Sequence, residues 1–267
     1  MKKYFICSDL HGNFSALEKA LQENNFDIDN ESHILVVAGD IFDRGEESVK
    51  VYEYLKEMTD KKRAIVLQGN HHKMFINFLE AKDYNLCFFN HKYNGMRTTI
   101  DDFLHQTHSW IMYIEMRHTD EEQRKMTNED FNDEWIEYVK SSAKEINEEY
   151  PELLPWLKSL PDYLELKNSI ITHGMIDGKA EDWRKPRMGW ENCHWAKPED
   201  AAFLYNNTGK HIYLGHIDSD TIREILHLPK DNYSLYTRES GDVTYLDGCT
   251  ILTNKVNMVI VEDEEIE

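Results

Sequence analysis

The sequence lacks the features that mark membrane, secreted and fibrous proteins. It contains no stretch of about 18 consecutive apolar residues, so nothing in it predicts a membrane span. Its 4 cysteines lie far apart, without a CxxC pair. The apolar run near the start is too short for a signal peptide, and we therefore expect the reduced environment of the cytoplasm. With 12 glycines and 6 prolines in 267 residues, a collagen-like or low-complexity chain is excluded.

Positive charge is also scarce. The chain has 30 Lys and Arg against 50 Asp and Glu, a net charge of −20. Because binding to duplex nucleic acid depends on Lys and Arg that neutralise phosphates, we expect neither duplex nucleic acid nor a membrane as a partner. A protein this acidic needs a local source of positive charge if it binds phosphate. Its 40% hydrophobic residues are typical of a folded globular chain, and we expect residues 1–267 to form a single domain.

Three short apolar runs in the first quarter of the chain each end in a polar cluster. The runs cover residues 4–7, 34–38 and 64–67. They read as buried strands, and helix-period segments separate them. The clusters at Asp9, Asp40 and Asn70 follow one another at about 30 positions, the length of one strand-helix-strand unit. We therefore expect these three residues at the carboxyl ends of neighbouring parallel strands, the usual position of a site in an α/β sheet.

The rest of the chain divides into a helical part and a second set of strands. Residues from about 71 to 160 show mostly helical spacing. Strand patterns return at 169–172, before His173-Gly174, and at 212–214, before Gly215-His216. Further runs follow at 243–246, 250–252 and 256–261. No helix is expected between these last runs, so we expect them to be antiparallel strands. The pattern as a whole predicts an α/β domain with two sheets.

The strand ends carry an unusual set of polar residues beside glycines. They are Asp9-x-His11, Gly39-Asp40-x-x-Asp43-Arg44-Gly45, Gly69-Asn70-His71-His72, Thr172-His173-Gly174 and Gly215-His216. Each cluster alone could be a structural turn. Five of them in order at strand ends indicate a site, and carboxylates mixed with imidazoles suit Mn, Fe or Zn. Two such ions about 4 Å apart need a bridging carboxylate, and Asp40 in the middle strand suits that role.

The order DxH, GDxxDRG, GNH, HG and GH resembles the calcineurin-like metallophosphoesterases. The DRG element is similar to the PPP-type serine/threonine phosphoprotein phosphatases and their bacterial and phage relatives, which include diadenosine tetraphosphate hydrolases. Segments 94–99, 157–161 and 246–249 extend the resemblance over most of residues 3–260. It implies a four-layer α-β-β-α sandwich of two mixed sheets flanked by helices.

The resemblance also implies two divalent metal ions, with Mn favoured and Fe or Zn as alternatives. The implied ligands are Asp9, His11 and Asp40 for the first ion, and Asp40, Asn70, His173 and His216 for the second. A hydroxide bridging the two ions would attack phosphorus in line. His71 would protonate the leaving oxygen, Asp43 would orient His71, and Arg44 would bind the phosphoryl oxygens.

Several positions depart from the family pattern on the side that faces the substrate. Gln68 stands where the protein phosphatases often have arginine, and Asn192 replaces the arginine of a later W-x-R segment. Arg184 or Arg187 could supply the missing charge. His72 replaces an acidic residue and either reaches the substrate or caps the helix that follows.

Three tryptophans are also relevant to how the substrate is bound. Trp183, Trp190 and Trp195 either line a cleft that stacks an adenine or belong to the core.

We therefore predict a metal-dependent phosphatase that hydrolyses phosphate monoesters of a phosphoprotein or a small molecule. The alternative is a symmetrical diadenosine tetraphosphate hydrolase. A binding module without turnover is a remote third possibility, because no ligand position of the pattern is lost.

Overall fold

The structure is a computed structural model that describes residues 2–180, 182–184 and 193–266. The strands are β1 (Lys2–Cys7), β2 (His33–Val37), β3 (Ala64–Val66), β4 (Tyr163–Glu165), β5 (Ser169–Thr172), β6 (His211–Leu214), β7 (Tyr236–Thr237), β8 (Val243–Tyr245) and β9 (Val259–Asp263). The helices are α1 (Phe14–Glu23), α2 (Ser48–Asp60), α3 (Asn70–Leu79), α4 (Tyr84–Tyr93), α5 (Met96–Phe103), α6 (Ser109–Arg117), α7 (Asp120–Gln123), α8 (Asn128–Glu149), α9 (Leu153–Ser159), α10 (Pro198–Ala202), α11 (Ser219–Ile225) and α12 (Thr250–Thr253). Within these described ranges, no helix has the length and apolar character needed to cross a bilayer.

The first sheet has the strand order β3-β2-β1-β9. Strands β1, β2 and β3 are parallel, with Cys7 opposite Val37 and Val37 opposite Val66. Strand β9 runs antiparallel to β1 at the edge. The prediction that the first three strands are parallel neighbours is therefore confirmed, and their carboxyl ends lie at one edge of the sheet.

The second sheet has the order β4-β5-β6-β8-β7. Strands β5, β6 and β8 are parallel, whereas β4 and β7 pair antiparallel at the two edges. Both sheets are therefore mixed, as predicted.

Alternate side chains of β1 show how the layers stack. Tyr4 and Ile6 pack in a cluster with Ile171 and Tyr213 of the second sheet, so this face lies between the two sheets. Phe5 on the opposite face joins a cluster made mostly of helix residues. A third cluster covers the outer face of the second sheet with residues of α10 and α11. The four-layer α-β-β-α sandwich is confirmed.

The segment predicted to be mostly helical contains α3 to α9 and packs on the first sheet. Its longest member, α8, has 22 residues and begins with a capping box at Thr127. Trp135, Tyr138 and Ile146 lie at helical spacing along its buried face.

The prediction for the last strands is wrong in two respects. Strand β8 pairs in parallel with β6, because helix α11, which the sequence reading missed, provides the crossover between them. Residues 250–252 begin helix α12 and do not form a strand. Cys249 and Asn254 on either side have left-handed backbones, and the amide of Asn254 donates to the carbonyl of Thr250.

Candidate metal centre

The loops after the parallel strands carry an unusual backbone. Residues with positive φ include Asp9 (53°), His11 (45°), Asp40 (45°), Asp43 (74°), Arg44 (75°) and His216 (69°). This region costs L-residues of the order of 1–3 kcal/mol each and persists only where the surroundings enforce it. The fold therefore uses some of its stability to aim these six side chains.

Two glycines allow the close packing of this region. A Cβ on Gly39, which has a φ of +83°, would lie 2.4 Å from Nδ1 of His173. A Cβ on Gly69 would lie 2.2 Å from Oδ1 of Asp40. The glycines of the two motifs are needed because the neighbouring side chains of the site occupy that space.

Two of the predicted histidine ligands have one ring nitrogen bonded to the backbone. Nδ1 of His11 lies 2.9 Å from the carbonyl oxygen of Phe42, and Nδ1 of His173 lies 2.9 Å from that of Ala38. Such bonds fix the ring and direct the other nitrogen toward a metal in many proteins. Here those other nitrogens are Nε2 of His11 and Nε2 of His173, while Nδ1 of His216 lies 3.1 Å from the Asn70 amide.

Asp40 lies at the centre of the arrangement. Its Oδ2 is 3.2 Å from Nε2 of His173 and 3.8 Å from Nε2 of His71. Two groups of possible ligands have all their donor atoms within 4.8 Å of one another, namely His11, Asp40 and His71, and Asp40, His173 and His216. Asp40 belongs to both groups, so its carboxylate could bridge two ions.

The contacts of the Asn70 amide show that a cation fits this space. One amide atom lies 3.0–3.2 Å from Nε2 of His173, Nδ1 of His216, Oδ2 of Asp40 and the carbonyl oxygen of His194. As an oxygen it faces acceptors, and a cation would satisfy all of them together. As the nitrogen it would donate to the same atoms. The mixed nitrogen and oxygen donor set fits a borderline divalent ion such as Mn, Fe or Zn.

The pKa values of the buried groups also indicate that this space suits a cation. Burial lowers the pKa of His173, but Asp40 and Asp9 outweigh that effect and raise the pKa to about 9. Burial raises the pKa of Asp40, yet the neighbouring histidines leave it well below its usual range. Burial and the charge of His173 lower the pKa of His216 to about 3. The carboxylates thus hold a proton on His173 that a bound cation would replace.

Asp9 takes a position that differs in detail from the sequence expectation. Its Oδ2 accepts a hydrogen bond from the amide of His216 (3.0 Å), and its Oδ1 lies 3.9 Å from Nε2 of His11. Burial raises the pKa of Asp9. The first group of possible ligands contains His71 in its place.

The predicted dyad of His71 and Asp43 is present in the geometry. Nδ1 of His71 lies 2.6 Å from Oδ2 of Asp43, and Nε2 faces the site. Burial lowers the pKa of His71, but Asp40 and Asp43 outweigh it and leave the pKa raised. Arg44 is exposed and donates from Nη1 to Nε2 of His11 (2.7 Å). Its other terminal nitrogen, Nη2, lies 3.3 Å from Nε2 of His71.

The sequence reading missed Thr99, which holds Asp43 from behind. The buried Thr99 hydroxyl donates to Oδ1 of Asp43 (2.7 Å) and accepts from the Asp43 amide (2.8 Å). In the same segment, Gly95 accepts from the Arg44 amide (3.0 Å). The signal was available, because segment 94–99 belongs to the family resemblance.

His72 and Gln68 do not reach the substrate side. His72 is 1% exposed, and its Nδ1 accepts a hydrogen bond from the amide of Gly69 (3.0 Å). This bond matches the capping alternative, and the alternative in which His72 binds the substrate is wrong because the side chain is enclosed. Gln68 turns away from the site and donates to the carbonyl of Leu157 (2.6 Å).

Arg184 makes its contacts away from the site. Its guanidinium pairs with Glu165 on β4 and lies 4.8 Å above the ring of Trp183. The structure therefore does not bring Arg184 to the site as a replacement arginine. Trp183 is itself buried against Tyr163, as a core residue.

Three other predicted residues, Arg187, Trp190 and Asn192, lie outside the described residues.

The segment that follows them passes along the site. His194 presents its carbonyl to Asn70 and pairs its ring with Asp162 (2.7 Å). Trp195 is 51% exposed, and its ring centroid lies 5.0 Å from that of His216. A cleft of roughly 290 Å³ beside His216 is also lined by His11 and Arg44.

A family model for the calcineurin-like phosphoesterases matches residues 2–220, more than four-fifths of the sequence. The chain belongs to this family. Membership confirms the resemblance seen in the motifs. It also accounts for the two groups of possible metal ligands, because this is a family of metal-dependent phosphoesterases.

Individual relatives are more distant. The asymmetrical bis(5′-nucleosyl)-tetraphosphatase PrpE of Bacillus subtilis (strain 168) is 28% identical over 102 residues, 36% of this chain and 39% of the relative. The serine/threonine-protein phosphatase 1 of Salmonella typhimurium (strain LT2) is 30% identical over 125 residues, 43% of this chain and 54% of the relative. The aligned part thus spans about two-fifths to just over half of these curated relatives.

The fold is shared more widely than the sequence. The crystal structure of a protein provisionally described as a diadenosine tetraphosphatase superposes with a TM-score of 0.55 at 15% identity. The match covers 97% of this chain and 89% of that protein. At this identity the likeness shows a common fold.

Proposed function

We propose that the protein is a dimetal-dependent phosphoesterase that hydrolyses phosphate monoesters. The observation that carries the proposal is the position of Asp40, whose carboxylate belongs to both groups of possible ligands. The paired His71 and Asp43 and the exposed Arg44 lie directly beside it. A centre for two ions, a proton donor and a phosphate-binding cation are the parts that hydrolysis of a phosphate ester needs.

In this proposal, the ligands are those that the motifs implied. Asp9, His11 and Asp40 would hold one ion, and Asp40, Asn70, His173 and His216 the other, with Mn favoured over Fe or Zn. When bound, two such ions supply Lewis acidity and lower the pKa of a water that serves as the nucleophile. His11 and His173 contribute neutral nitrogens whose orientation the backbone carbonyls already fix.

The remaining residues act on the phosphoryl group and the leaving group. Arg44 presents a guanidinium to the phosphoryl oxygens and stabilises the charge that develops on them. Water loses one proton to solvent and adds to phosphorus, the bond from phosphorus to the leaving oxygen breaks, and that oxygen takes the proton from Nε2 of His71. A proton from solvent then returns to His71. Asp43 keeps this ring oriented and favours its protonated form.

A second candidate is hydrolysis of dinucleoside tetraphosphates, as in the symmetrical diadenosine tetraphosphate hydrolases. The similarity to the asymmetrical tetraphosphatase of Bacillus subtilis favours dinucleoside tetraphosphates as a substrate class, and a symmetrical tetraphosphatase of Buchnera aphidicola is 37% identical over 71 residues, 24% of that relative. The products would identify it, because symmetrical cleavage gives two ADP and asymmetrical cleavage gives AMP and ATP. With a net charge of −20, the protein repels polyanions, and a small ester is the easier substrate to bind.

The test compares p-nitrophenyl phosphate with diadenosine tetraphosphate, using chelated protein refilled with Mn²⁺. We expect a higher kcat/KM for the monoester. In His71→Asn, kcat should fall by about 10²- to 10³-fold, because the proton donor is lost. A higher kcat/KM for the dinucleotide would favour the second candidate. Bound metal without turnover of either substrate would refute the proposal and favour a binding module.

A further inference from the structure

We propose that Trp195, together with apolar side chains of the adjacent cleft, binds a planar ring in the leaving group of the substrate. The enzyme would then prefer aryl or nucleoside monoesters to alkyl phosphates. This inference rests on the proposed function, because it names the class of monoester that the same site takes.

The position of Trp195 is the first observation. Its ring lies against His216, one of the six candidate ligands, at a centroid separation of 5.0 Å and an interplanar angle of 53°. Nevertheless 51% of the residue is exposed. Trp183, in contrast, is 9% exposed and packs in the core. A half-exposed indole beside a metal ligand presents a flat apolar surface where a substrate approaches.

The composition of the cleft is the second observation. His11, Arg44 and His216 line it together with the apolar side chains Pro198, Ile217 and Ile251. Ile251 is 39% exposed, so its surface is accessible. The cleft thus combines groups suited to one phosphoryl group with an apolar surface suited to the body of a leaving group.

Charge in the cleft is the third observation. Among its described lining residues, Arg44 is the one lysine or arginine, whereas Asp218 and Asp247 contribute carboxyl groups. The Asp218 carboxylate caps α11 by accepting from the amide of Thr221 (2.8 Å). A second phosphate next to the first would meet these carboxyl groups without another cation. The cleft therefore suits an uncharged ring better than a polyphosphate chain.

Trp195 would also be explained if it only packed against His216 and supported that candidate metal ligand. The test must therefore distinguish this structural role from direct contact with the substrate. Phenylphosphonate and methylphosphonate share a head group and differ in the ring. Their dissociation constants, measured by titration calorimetry on the Mn²⁺-loaded full chain, isolate the contribution of the ring without requiring turnover. Trp195→Phe keeps a ring, and Phe203→Ala removes a 66% exposed aromatic side chain that, within the described residues, has no ring contact with a candidate metal ligand of the kind that Trp195 makes with His216.

We expect the wild type and Phe203→Ala to bind phenylphosphonate about tenfold more tightly than methylphosphonate. In Trp195→Ala this ratio should fall to about twofold or less, whereas Trp195→Phe should keep most of it. Methylphosphonate affinity and Mn²⁺ content should be unchanged in all variants. An unchanged ratio in Trp195→Ala would overturn the inference. So would a parallel loss of methylphosphonate affinity and metal, because Trp195 would then merely support His216.

Turnover measurements then distinguish aryl from nucleoside leaving groups. They also distinguish failure of the ring-binding inference from failure of the proposed function. Wild-type kcat/KM for p-nitrophenyl phosphate and for AMP, each divided by that for glycerol 2-phosphate, should both fall in Trp195→Ala. A fall for AMP alone would assign the surface to nucleosides, and a fall for the aryl ester alone would assign it to aryl groups. Ring-dependent binding without hydrolysis of any ester would refute the proposed function and leave the ring surface supported.

Discussion

The six candidate metal ligands, Asp9, His11, Asp40, Asn70, His173 and His216, form what we call the ligand cage. The cage and the cleft beside it are built in different ways. Asp9, His11, Asp40, Asn70 and His173 are each 8% exposed or less, and each is held by hydrogen bonds from the surrounding fold. The cleft, in contrast, is lined by side chains that reach into solvent, such as Arg44 and Ile251, and the half-exposed Trp195 packs on His216, another lining residue.

The difference shows where this chain kept the family pattern and where it departed from it. A residue in the cage cannot change without leaving a buried charge or polar atom unpaired. Exchange is tolerated outside the cage, where Gln68 donates to Leu157 and Arg184 pairs with Glu165, both away from the cleft. The reaction type is therefore readable from the motifs, whereas the substrate depends on side chains that differ from those of relatives.

The largest effect should come from Asp40→Asn, which removes the shared carboxylate from the centre of the cage. The loss of metal-assisted charge stabilisation should lower kcat by about 10³-fold or more. Manganese content, measured by atomic emission, should fall below two ions per chain. Asp60→Asn changes an exposed aspartate on α2 and should behave as wild type. Full turnover in Asp40→Asn would contradict the assignment of the cage.

Gly39→Ala tests the packing that holds the cage. The added Cβ would lie 2.4 Å from Nδ1 of His173, and the φ of +83° strains any L-residue. We expect the free energy of unfolding, measured in urea, to fall by about 2–4 kcal/mol. Gly209→Ala is the matched control, since its φ is +73° but no heavy atom lies within 4 Å of the new Cβ. Equal losses in the two variants would mean that backbone strain, and not the contact with His173, is decisive.

Thr99→Val tests the support behind the dyad. Removal of the hydroxyl leaves Oδ1 of Asp43 without its 2.7 Å donor. We expect kcat to fall by about 10-fold, with KM for p-nitrophenyl phosphate little changed. Thr99→Ser keeps the hydroxyl and should recover most of the activity. If the serine variant is as slow as the valine variant, packing of the methyl group and not the hydrogen bond is responsible.

The smallest effect concerns Glu165, which holds Arg184 away from the site. Burial raises the pKa of Glu165, but hydrogen bonds from Arg184 and Lys210 outweigh it and lower the pKa below its usual range. The pairing therefore stabilises the fold above the unfolded-state pKa, and this contribution is lost as pH falls through the folded-state pKa. Glu165→Gln should cost about 1 kcal/mol or less at pH 7 and a smaller amount at pH 3.

Urea unfolding at the two pH values measures this difference. Glu145→Gln, at an exposed position of α8, provides the control. A cost that is the same at both pH values would exclude a role for the ionised carboxylate.

The sequence was sufficient to predict the strands and helices that short segments of the chain determine by their own residue pattern. Buried β-branched runs followed by Asp9, Asp40 and Asn70 identified three parallel strands, because the spacing between them fits one crossover helix. The residues that would form the cage were found in the same way, since each follows a strand.

What could not be predicted depends on partners distant along the chain. Strand β8 is parallel because it pairs with β6, and the sequence pattern of β8 is the same for either direction. Thr99 acts on a residue 56 positions away, and Arg184 is captured by a glutamate on another element. These outcomes are decided by tertiary packing and leave no periodic signal.

The hydrogen bonds within the cage join residues far apart in the chain: His173 lies 103 positions from Asn70, and His216 lies 207 positions from Asp9. During synthesis, the ribosome must therefore release most of the chain before the two sheets can meet and the cage can close. Nascent or half-folded forms would carry the conspicuous DRG and GNH motifs without any ability to hydrolyse an ester. In a refolding experiment, the recovery of turnover would consequently time the docking of the two sheets, a late event in a fold of such long-range contacts.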